Sequence, residues 1–338
     1  MYENEMMEIK NKQVMKSNGF GLIQKHEKEI FRSFITDEDG LYKVWHLGIP
    51  DTSTEGWQVA IEGGVDGTLT LTLKDLQELE QTTVMSFQEC AGSPVFPDIP
   101  QRRVGNIVWE GVRLRDVLLQ VGVGNNIKFI HSSGVDHGDF NGQHYESYDK
   151  DLPLEMALND NVLLALKING EPLSNSRGGP VRLIVPGYYG TNSTKWLNRL
   201  ALAETRHNGD FTTRYYNDRE VIDGAEVLTP VWEIKPNSLL VFPENGMHLP
   251  KEKQTLWGWA WGFHPISKVE VSLNAGLTWQ DAEIESRDEN SWQRFSFEWE
   301  PHVIGEFHIV IRASDREGNV QPLLGKRNQV YRSIIFVS

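Results

Sequence analysis

Short stretches in which apolar and polar residues alternate are the main pattern along this chain, and they predict β-strands. Thr68–Leu71 alternates with a period of two, as a half-buried strand does. Val181–Val185 is a mainly apolar run that ends at Pro186 and Gly187, which predicts a strand stopped by a turn. The strands are short and unevenly spaced, so the pattern does not favour the regular alternation of a doubly wound parallel sheet.

Two stretches near these strands carry helix signals. Thr72–Asp75 has the form of a capping box, and it predicts a helix over Leu73–Leu79. Val112–Leu119 has the apolar spacing of a helix, and this helix is predicted to end at Gly122. Short strands mixed with a few helices and long loops predict the α+β class for this part of the chain.

From about Val231 onward the chain shows strand patterns with no helical segment between them. Asn274–Gly276 has the composition of a hairpin turn. Short strands at intervals of about 8–15 residues are typical of an antiparallel β-sandwich of immunoglobulin type. The strand patterns that support this prediction are Gln254–Trp261, Val269–Leu273, Phe295–Trp299 and Phe307–Ile311.

These differences divide the sequence into three predicted parts. Residues 1–40 are polar with mixed charge, and we expect an N-terminal arm that is partly helical. Residues 41–228 form the predicted α+β domain, and residues 229–338 form the predicted β-sandwich. A chain of 338 residues is long enough for two hydrophobic cores.

The charge balance excludes some classes of partner. The chain has 47 acidic against 33 basic side chains, a formal net charge of −14. Nucleic acids and anionic membranes attract basic surfaces, so neither is an expected partner. The sequence shows no apolar run of transmembrane length and no signal-peptide pattern, and we expect a cytoplasmic protein.

Cys90 is the only cysteine of the chain, and it lies in the segment Phe87–Ser93. A single cysteine cannot form an internal disulfide, so packing, catalysis and metal ligation remain as its possible roles. The thiolate form is a strong nucleophile and a soft metal ligand, whereas a free cysteine is also often a small buried hydrophobic residue.

Several ordered segments together resemble the sulfite oxidase family of molybdenum-cofactor enzymes, which also includes the eukaryotic assimilatory nitrate reductases. The resemblance covers roughly residues 40–338. The segments that carry it are Glu89–Gly92, Gly105–Leu118, Leu152–Leu158, Val162–Leu173, Gly179–Gly190, Ser193–Leu197, Gly258–Trp261 and Val269–Trp279.

The resemblance implies a molybdopterin-binding catalytic domain followed by a dimerisation domain. It implies that Cys90 ligates molybdenum and that cationic, hydroxyl and imidazole groups bind the anionic molybdopterin cofactor. Arg177 stands where the family usually has histidine, and it could still reach a phosphate. The residues that match cofactor-binding positions are Trp45, His46, Cys90, Asp136, Arg177, Arg182, Ser193, Thr194 and Lys195.

Tyr148 matches the active-site tyrosine of the family, so Cys90 and Tyr148 are the predicted catalytic residues. A phenol at that position can hydrogen-bond the substrate and assist proton transfer. Tyr145, three residues earlier, is a plausible stand-in for it. Packing at an interface is the alternative role for either tyrosine.

The sequence departs from the family pattern at the expected anion pocket. Ser93 and Pro94 follow the Cys-Ala-Gly segment where sulfite oxidases have an Asn-Arg-Arg sequence, and Val44 replaces an arginine. A third arginine, near Gly258–Trp261, is also missing, and the possible replacements are Arg102, Arg103 and His264. Buried anions need fixed positive charge, so these losses and the added apolar residues, among them Trp45 and Phe96, favour a less charged substrate.

The resemblance therefore implies two-electron oxygen-atom transfer on a small-molecule substrate at a Cys-ligated molybdenum centre. The sequence shows no haem or flavin domain, so electrons are expected to pass to a separate redox protein, and a homodimer is expected through the sandwich. One alternative is a reductase of a neutral sulfoxide or N-oxide. Another is a cofactor-free scaffold in which Trp257, Trp259 and Trp261 serve mainly as a dimer interface.

Overall fold

The computed structural model describes residues 19–24, 28–93 and 102–338. In the described part of the predicted arm, a short strand and a 3-10 helix over Lys28–Phe31 lie against the rest of the protein. The backbone carbonyl of Phe31 accepts a hydrogen bond from the indole of Trp259 at 2.7 Å. Residues 28–40 therefore pack on the body, and the predictions for residues 1–18 lie outside the described residues.

The N-terminal part of the molecule contains two larger sheets, with strand orders β10-β7-β14-β3-β4 and β12-β11-β6-β5. Strands β14 and β3 pair in parallel, and the other pairs within these two sheets are antiparallel. The strands are β1 Gly21–Ile23, β2 Lys43–Trp45, β3 Gln58–Gly64, β4 Gly67–Thr72, β5 Thr82–Glu89, β6 Val104–Arg113, β7 Phe129–Gly134, β8 Gly138–Phe140, β9 Gln143–Tyr145, β10 Asp149–Pro153, β11 Leu163–Ile168, β12 Glu171–Pro172, β13 Arg182–Ile184, β14 Leu197–Ala203, β15 Asn217–Ile222 and β16 Ala225–Pro230.

The α-helices of the described residues are few and short: α1 Leu73–Glu78, α2 Leu114–Gln120, α3 Leu154–Ala157 and α4 Asp210–Thr213. The capping box predicted at the start of α1 is confirmed, because the Thr72 hydroxyl accepts from the backbone N–H of Asp75 and the Asp75 carboxylate accepts from that of Thr72. Helix α2 begins two residues later than predicted, since Val112 and Arg113 pair with β11 as the end of β6.

The larger core of the N-terminal part lies between these sheets and helices. It combines Val59 and Ile61 of β3 with Leu164 of β11 and with Val117 and Leu118 of α2. Each of these side chains is almost fully buried, so α2 shields the apolar sheet residues from water.

The C-terminal part is a sandwich of two sheets, with strand orders β17-β19-β23-β22 and β18-β25-β24-β20-β21. Leu256 and Phe295 of the first sheet share one buried core with Val269, Ile311 and Ile335 of the second. The bounds are β17 Asn237–Phe242, β18 His248–Leu249, β19 Gln254–Trp261, β20 Ile266–Ser272, β21 Gln280–Asp281, β22 Glu283–Ile284, β23 Gln293–Trp299, β24 Gly305–Asp315 and β25 Arg332–Val337.

The two parts pack against each other through an aromatic cluster. Trp259, Trp261 and Trp292 of the sandwich are almost fully buried, and they share a hydrophobic cluster with Phe87 and Tyr189 of the N-terminal part. The interpretation of Trp259 and Trp261 as a dimer surface is therefore wrong, because both side chains are buried within one chain. Trp257 is half-buried, and its part in a dimer interface stays a prediction. No described helix combines the length and apolar character needed to cross a bilayer.

Candidate active site

A cavity of about 750 Å³, including its open mouth, lies between β2, the turn at Cys90 and the loops on either side of β13. Thr194, in contrast to the other predicted residues, does not line it: the Thr194 hydroxyl lies 2.8 Å from that of Ser132 in the buried interior. Nine of the ten predicted site residues line this cavity: Trp45, His46, Cys90, Asp136, Tyr148, Arg177, Arg182, Ser193 and Lys195.

Cys90 follows the last residue of β5 and is fixed by backbone contacts. Its N–H donates to the carbonyl oxygen of Arg103 at 2.9 Å, and the N–H of Gly92 donates to its Sγ at 3.3 Å. Burial raises the pKa of the Cys90 thiol, whereas the nearby Arg103 guanidinium and the Gly92 N–H lower it. A bound cation would favour the thiolate further, which is the form that ligates metals.

Arg182 is a buried cation at the wall of the cavity. Its guanidinium donates to the carbonyl oxygens of Arg177 at 2.8 Å and Ser193 at 3.3 Å, and it lies 5.1 Å from the ring centroid of Trp109. Its Nε has no hydrogen-bond partner. Burial lowers the pKa of Arg182 to about 9, so the residue is still charged at neutral pH and can attract an anionic group.

Lys195 places an amine at the cavity that is only partly protonated at neutral pH, and Gly178 leaves room for its side chain. Its Nζ donates to the carbonyl oxygen of Val44 at 2.7 Å. Burial and the nearby Arg182 lower its pKa to about 7, whereas Asp136 opposes this shift. A Cβ on Gly178 would lie 2.6 Å from the Lys195 side chain, and the φ of Gly178 is +95°. Both facts favour glycine at this position.

Arg177 and Asp136 both line the cavity, but Arg177 is hydrogen-bonded to the backbone, whereas one oxygen of Asp136 has no partner. Arg177 donates to the carbonyl oxygens of Leu41 and Tyr42 at 2.8 Å, so it already fixes the segment before β2. Asp136 is 4% exposed, and its Oδ1 has no partner. Burial raises the pKa of Asp136 to about 7, and the nearby Lys195 works in the opposite direction.

His46, Tyr148 and Tyr216 form an aromatic group at one side of the cavity. The rings of His46 and Tyr148 stack with centroids 5.4 Å apart, and His46 Nε2 contacts the hydroxyl of Tyr216. Burial lowers the pKa of His46 to about 3, with Lys195 and Lys150 as further causes. His46 is therefore neutral at physiological pH, in contrast to the positive residues around it.

Tyr148 is held in place by Thr191. Its hydroxyl donates to the Thr191 carbonyl oxygen at 2.9 Å and lies 2.6 Å from the Thr191 hydroxyl. Burial raises the pKa of Tyr148 well above its ordinary value, so the phenol keeps its proton. Tyr145 does not line the cavity and instead donates to Asp210 at 2.6 Å, so the structure does not support it as a stand-in.

Sequence reasoning missed several residues that line the cavity. Tyr216 follows a stretch of polar residues, and no motif marks it; its left-handed backbone, with a φ of 55°, is equally invisible in sequence. Gln88 could have been found, since it lies two residues before Cys90. The lining residues that were missed include Tyr42, Lys43, Gln88, Ser176, Thr191 and Tyr216.

The possible replacements for the missing arginines do not line the cavity. Arg102 is buried and donates to the carbonyl oxygen of Gln329 at 2.7 Å. His264 packs on Phe263. Arg103 lies beside the Cys90 turn, where its Nε donates to the side chain of Gln24 at 2.9 Å. The predictions for Pro94 and Phe96 lie outside the described residues.

The donor set of the cavity fits an anionic organic cofactor with a soft metal. Arginine, lysine and hydroxyl groups are suited to phosphate and to heterocycle oxygens, and the thiol of Cys90 is suited to a soft metal. Buried polar atoms of five lining residues lack a hydrogen-bond partner, namely Trp45 Nε1, Gln88 Oε1, Asp136 Oδ1, Arg177 Nε and Arg182 Nε. Buried polar atoms in proteins are normally hydrogen-bonded, so these atoms point to a ligand that binds here.

Comparisons with known proteins match both parts of the chain to family models. The model of the oxidoreductase molybdopterin binding domain matches residues 46–211, and that of the Mo-co oxidoreductase dimerisation domain matches residues 229–335. Mitochondrial sulfite oxidase of Rattus norvegicus is 28% identical over 319 residues, and that of Homo sapiens is also 28% identical. Each alignment covers 86% of this chain and 58% of the relative, so the chain spans less than two thirds of these proteins.

A solved structure is also similar over most of its length. The sulfane dehydrogenase SoxCD from Paracoccus pantotrophus matches with a TM-score of 0.79 and 26% sequence identity. The match covers 91% of this chain and 82% of that chain, so both parts of the fold have counterparts in one known protein.

Proposed function

Because this chain belongs to the sulfite oxidase family of molybdopterin-dependent oxidoreductases, we propose that it catalyses two-electron oxygen-atom transfer with molybdenum held at Cys90. The observation that carries this proposal is the single cavity that brings Cys90 together with Arg182, Lys195 and Tyr148. These residues come from distant segments, and packing alone gives no reason for buried cations to surround a thiol.

The residues of the cavity divide into those that would hold the metal and those that would hold the organic cofactor. Cys90 would ligate molybdenum through its thiolate. The bound cofactor supplies the two-electron exchange and the oxygen-atom transfer. Thr194 lies behind the cavity wall, where it would hold the neighbouring backbone in place through its contacts with Ser132 and Leu183. The residues proposed to bind molybdopterin are Trp45, His46, Asp136, Arg177, Arg182, Ser193 and Lys195, and Thr194 is proposed to support them without lining the cavity.

Tyr148 and His46 would orient the substrate. The phenol of Tyr148 keeps its proton at neutral pH, so it can donate a hydrogen bond to a substrate oxygen in place of the one that it donates to Thr191. His46 is neutral and stacks on Tyr148, which fixes the plane of the phenol ring without adding charge. Together they add hydrogen-bonding groups, but no charge, to the side of the cavity where they lie.

The domain organisation belongs to the same proposal. Residues 41–228 would form the molybdopterin-binding domain, preceded by the arm of residues 1–40, and residues 229–338 would form an immunoglobulin-like sandwich that joins two chains into a homodimer. The match to a dimerisation domain supports the homodimer. Electrons would pass to a separate redox protein. The cytoplasmic location of the protein also stays a prediction.

A neutral oxide substrate is the second candidate, and the cavity lining favours it. The described residues that line the cavity with Tyr148 and Cys90 include Val44, Thr191 and Tyr216, none of which is an acidic or basic residue. Arg102 and His264 lie elsewhere, and Arg103 lies beside the Cys90 turn but does not line the cavity. A small sulfoxide or N-oxide would need hydrogen-bond donors rather than a cluster of arginines.

Steady-state kinetics on the molybdenum-loaded protein distinguish these substrates. Sulfite oxidation is measured with an artificial electron acceptor, and reduction of a small sulfoxide and a small N-oxide with an artificial donor. We expect faster turnover of a neutral oxide than of sulfite, with Cys90→Ser inactive on both. Faster sulfite oxidation would remove the second candidate, and no turnover in either direction by loaded protein would contradict the proposed activity.

A further inference from the structure

The residue before Cys90 is hydrogen-bonded to the C-terminal sandwich. Glu89 is completely buried at the end of β5. One of its carboxylate oxygens accepts from Asn237 Nδ2 at 2.7 Å, and the other accepts from Trp261 Nε1 at 2.9 Å. Asn237 and Trp261 lie on adjacent strands of the sandwich, where they pair in the β17–β19 ladder. The sandwich thus binds both oxygens of a side chain that is adjacent to the cavity thiol.

The residue after Cys90 is also bound by the sandwich. Arg327 donates to the carbonyl oxygen of Ala91. The same guanidinium donates to Asp218 at 2.6 Å and lies 5.4 Å from the ring centroid of Tyr189. Its position is therefore set by three groups of the N-terminal part, and the Cys90 turn is held on both sides.

We propose that Glu89 and Arg327 are positioning residues through which the sandwich fixes Cys90 in the cavity. This inference rests on the proposed function, because the position of Cys90 matters if it ligates a metal. It gives the sandwich a part in building the active site that is separate from dimerisation.

The type of contact explains why it would fix a position. Apolar surfaces can slide past one another at little cost, whereas two directional hydrogen bonds to one carboxylate set both distance and angle. A buried carboxylate that loses a donor is left unsatisfied, so the arrangement strongly prefers one geometry. Because Glu89 and Cys90 are consecutive, that geometry is passed directly to the thiol.

The same interface contains a matched control. Trp292 Nε1 donates to the carbonyl oxygen of Phe34 at 3.0 Å, so it also spans the two parts of the chain. Trp261 and Trp292 are each 1% exposed. Trp261→Phe and Trp292→Phe therefore remove the same donor from the same interface, but only the first donor binds the residue next to Cys90.

Hydrogen–deuterium exchange of the cofactor-free protein, residues 1–338, tests this proposal without a measurement of activity. We expect Trp261→Phe to accelerate exchange of the amides in residues 89–93 roughly tenfold, as a local opening does, and Trp292→Phe to leave that segment as in the wild type. Arg327→Lys provides a second variant, with the same expected direction. Equal exchange in Trp261→Phe and Trp292→Phe would overturn the proposal.

A conservative series at Glu89 separates positioning from general stability. Glu89→Gln keeps one acceptor oxygen, so its exchange in residues 89–93 should lie between that of the wild type and that of Glu89→Ala. In molybdenum-loaded protein, Trp261→Phe should shift the electron paramagnetic resonance spectrum of the metal, and Trp292→Phe should not. An unshifted spectrum in Trp261→Phe contradicts the positioning role. If the wild type does not take up molybdenum, the proposed function is contradicted, and the exchange experiment alone decides whether the sandwich fixes the Cys90 turn.

Discussion

The buried imidazole of His46 allows a quantitative test of the electrostatics of the cavity. Burial beside Lys195 and Lys150 lowers its pKa to about 3 in the folded cofactor-free protein, whereas an unfolded histidine titrates near 6.5. The perturbation is His46→Gln, which keeps a polar side chain but removes the titrating group. The comparison is made on the protein without cofactor, so that only groups of the chain contribute.

The sign follows from which state takes up the proton. The pKa is lower in the folded state, so the full stability is present above the unfolded pKa and is lost as the pH falls toward the folded pKa. Between about pH 7.5 and pH 5.5, protonation of the unfolded imidazole costs about 1.4 kcal/mol of folding stability. His46→Gln has no imidazole at this position, so its folding stability lacks this pH-dependent loss.

Urea denaturation at the two pH values gives the required numbers. Other groups titrate in both proteins, so the quantity of interest is the pH-dependent loss in the wild type minus that in His46→Gln. We expect a difference of about 1.4 kcal/mol. His302→Gln, at an exposed site of the sandwich, controls for removal of a histidine. Equal losses in wild type and His46→Gln would refute the description of His46 as buried beside two cations.

Three further predictions concern other parts of the fold and site. Tyr148→Phe removes the phenol proton and should lower the kcat of the loaded enzyme roughly 10²-fold in steady-state assays, with molybdenum content unchanged; an unchanged kcat would remove Tyr148 from the reaction. Gly178→Ala places a Cβ on a left-handed backbone beside Lys195, so urea denaturation should show that the free energy of unfolding falls by about 1–3 kcal/mol. An unchanged free energy of unfolding would show that the site accommodates the Cβ because Lys195 moves aside. Thr72→Ala removes the capping hydroxyl of α1 and should cost about 1 kcal/mol in the same assay, without changing activity.

Individual strands and helices could be predicted where the spacing of apolar residues fits only one of the two. The strand Gln254–Trp261 has the same bounds in sequence and structure, because its alternation continues without interruption. The start of α2 was misplaced because Val112 is apolar and buried in either a strand or a helix. Residues near such a boundary satisfy both periods, and the pairing of β6 with β11 decides between them.

The cavity could be predicted in part. The segments around Cys90 and Lys195 carry recognisable residues, and the structure brings them to one site. The contact between His46 and Tyr216 joins residues 170 positions apart, and the contact between Glu89 and Trp261 joins residues 172 positions apart. Neither leaves a local pattern, because each depends on how two parts of the chain pack. The alternation that buries Trp261 shows that it faces inward, but not which residue it meets.

Elemental and pterin analysis of the purified protein tests the central claim most directly. The protein is produced in a host that makes molybdopterin, and the wild type is compared with Cys90→Ser. The account predicts near-stoichiometric molybdenum and molybdopterin in the wild type, and loss of activity in Cys90→Ser even if the pterin still retains some metal. A wild-type protein that carries neither molybdenum nor molybdopterin would contradict the account and leave the cofactor-free scaffold as the better description.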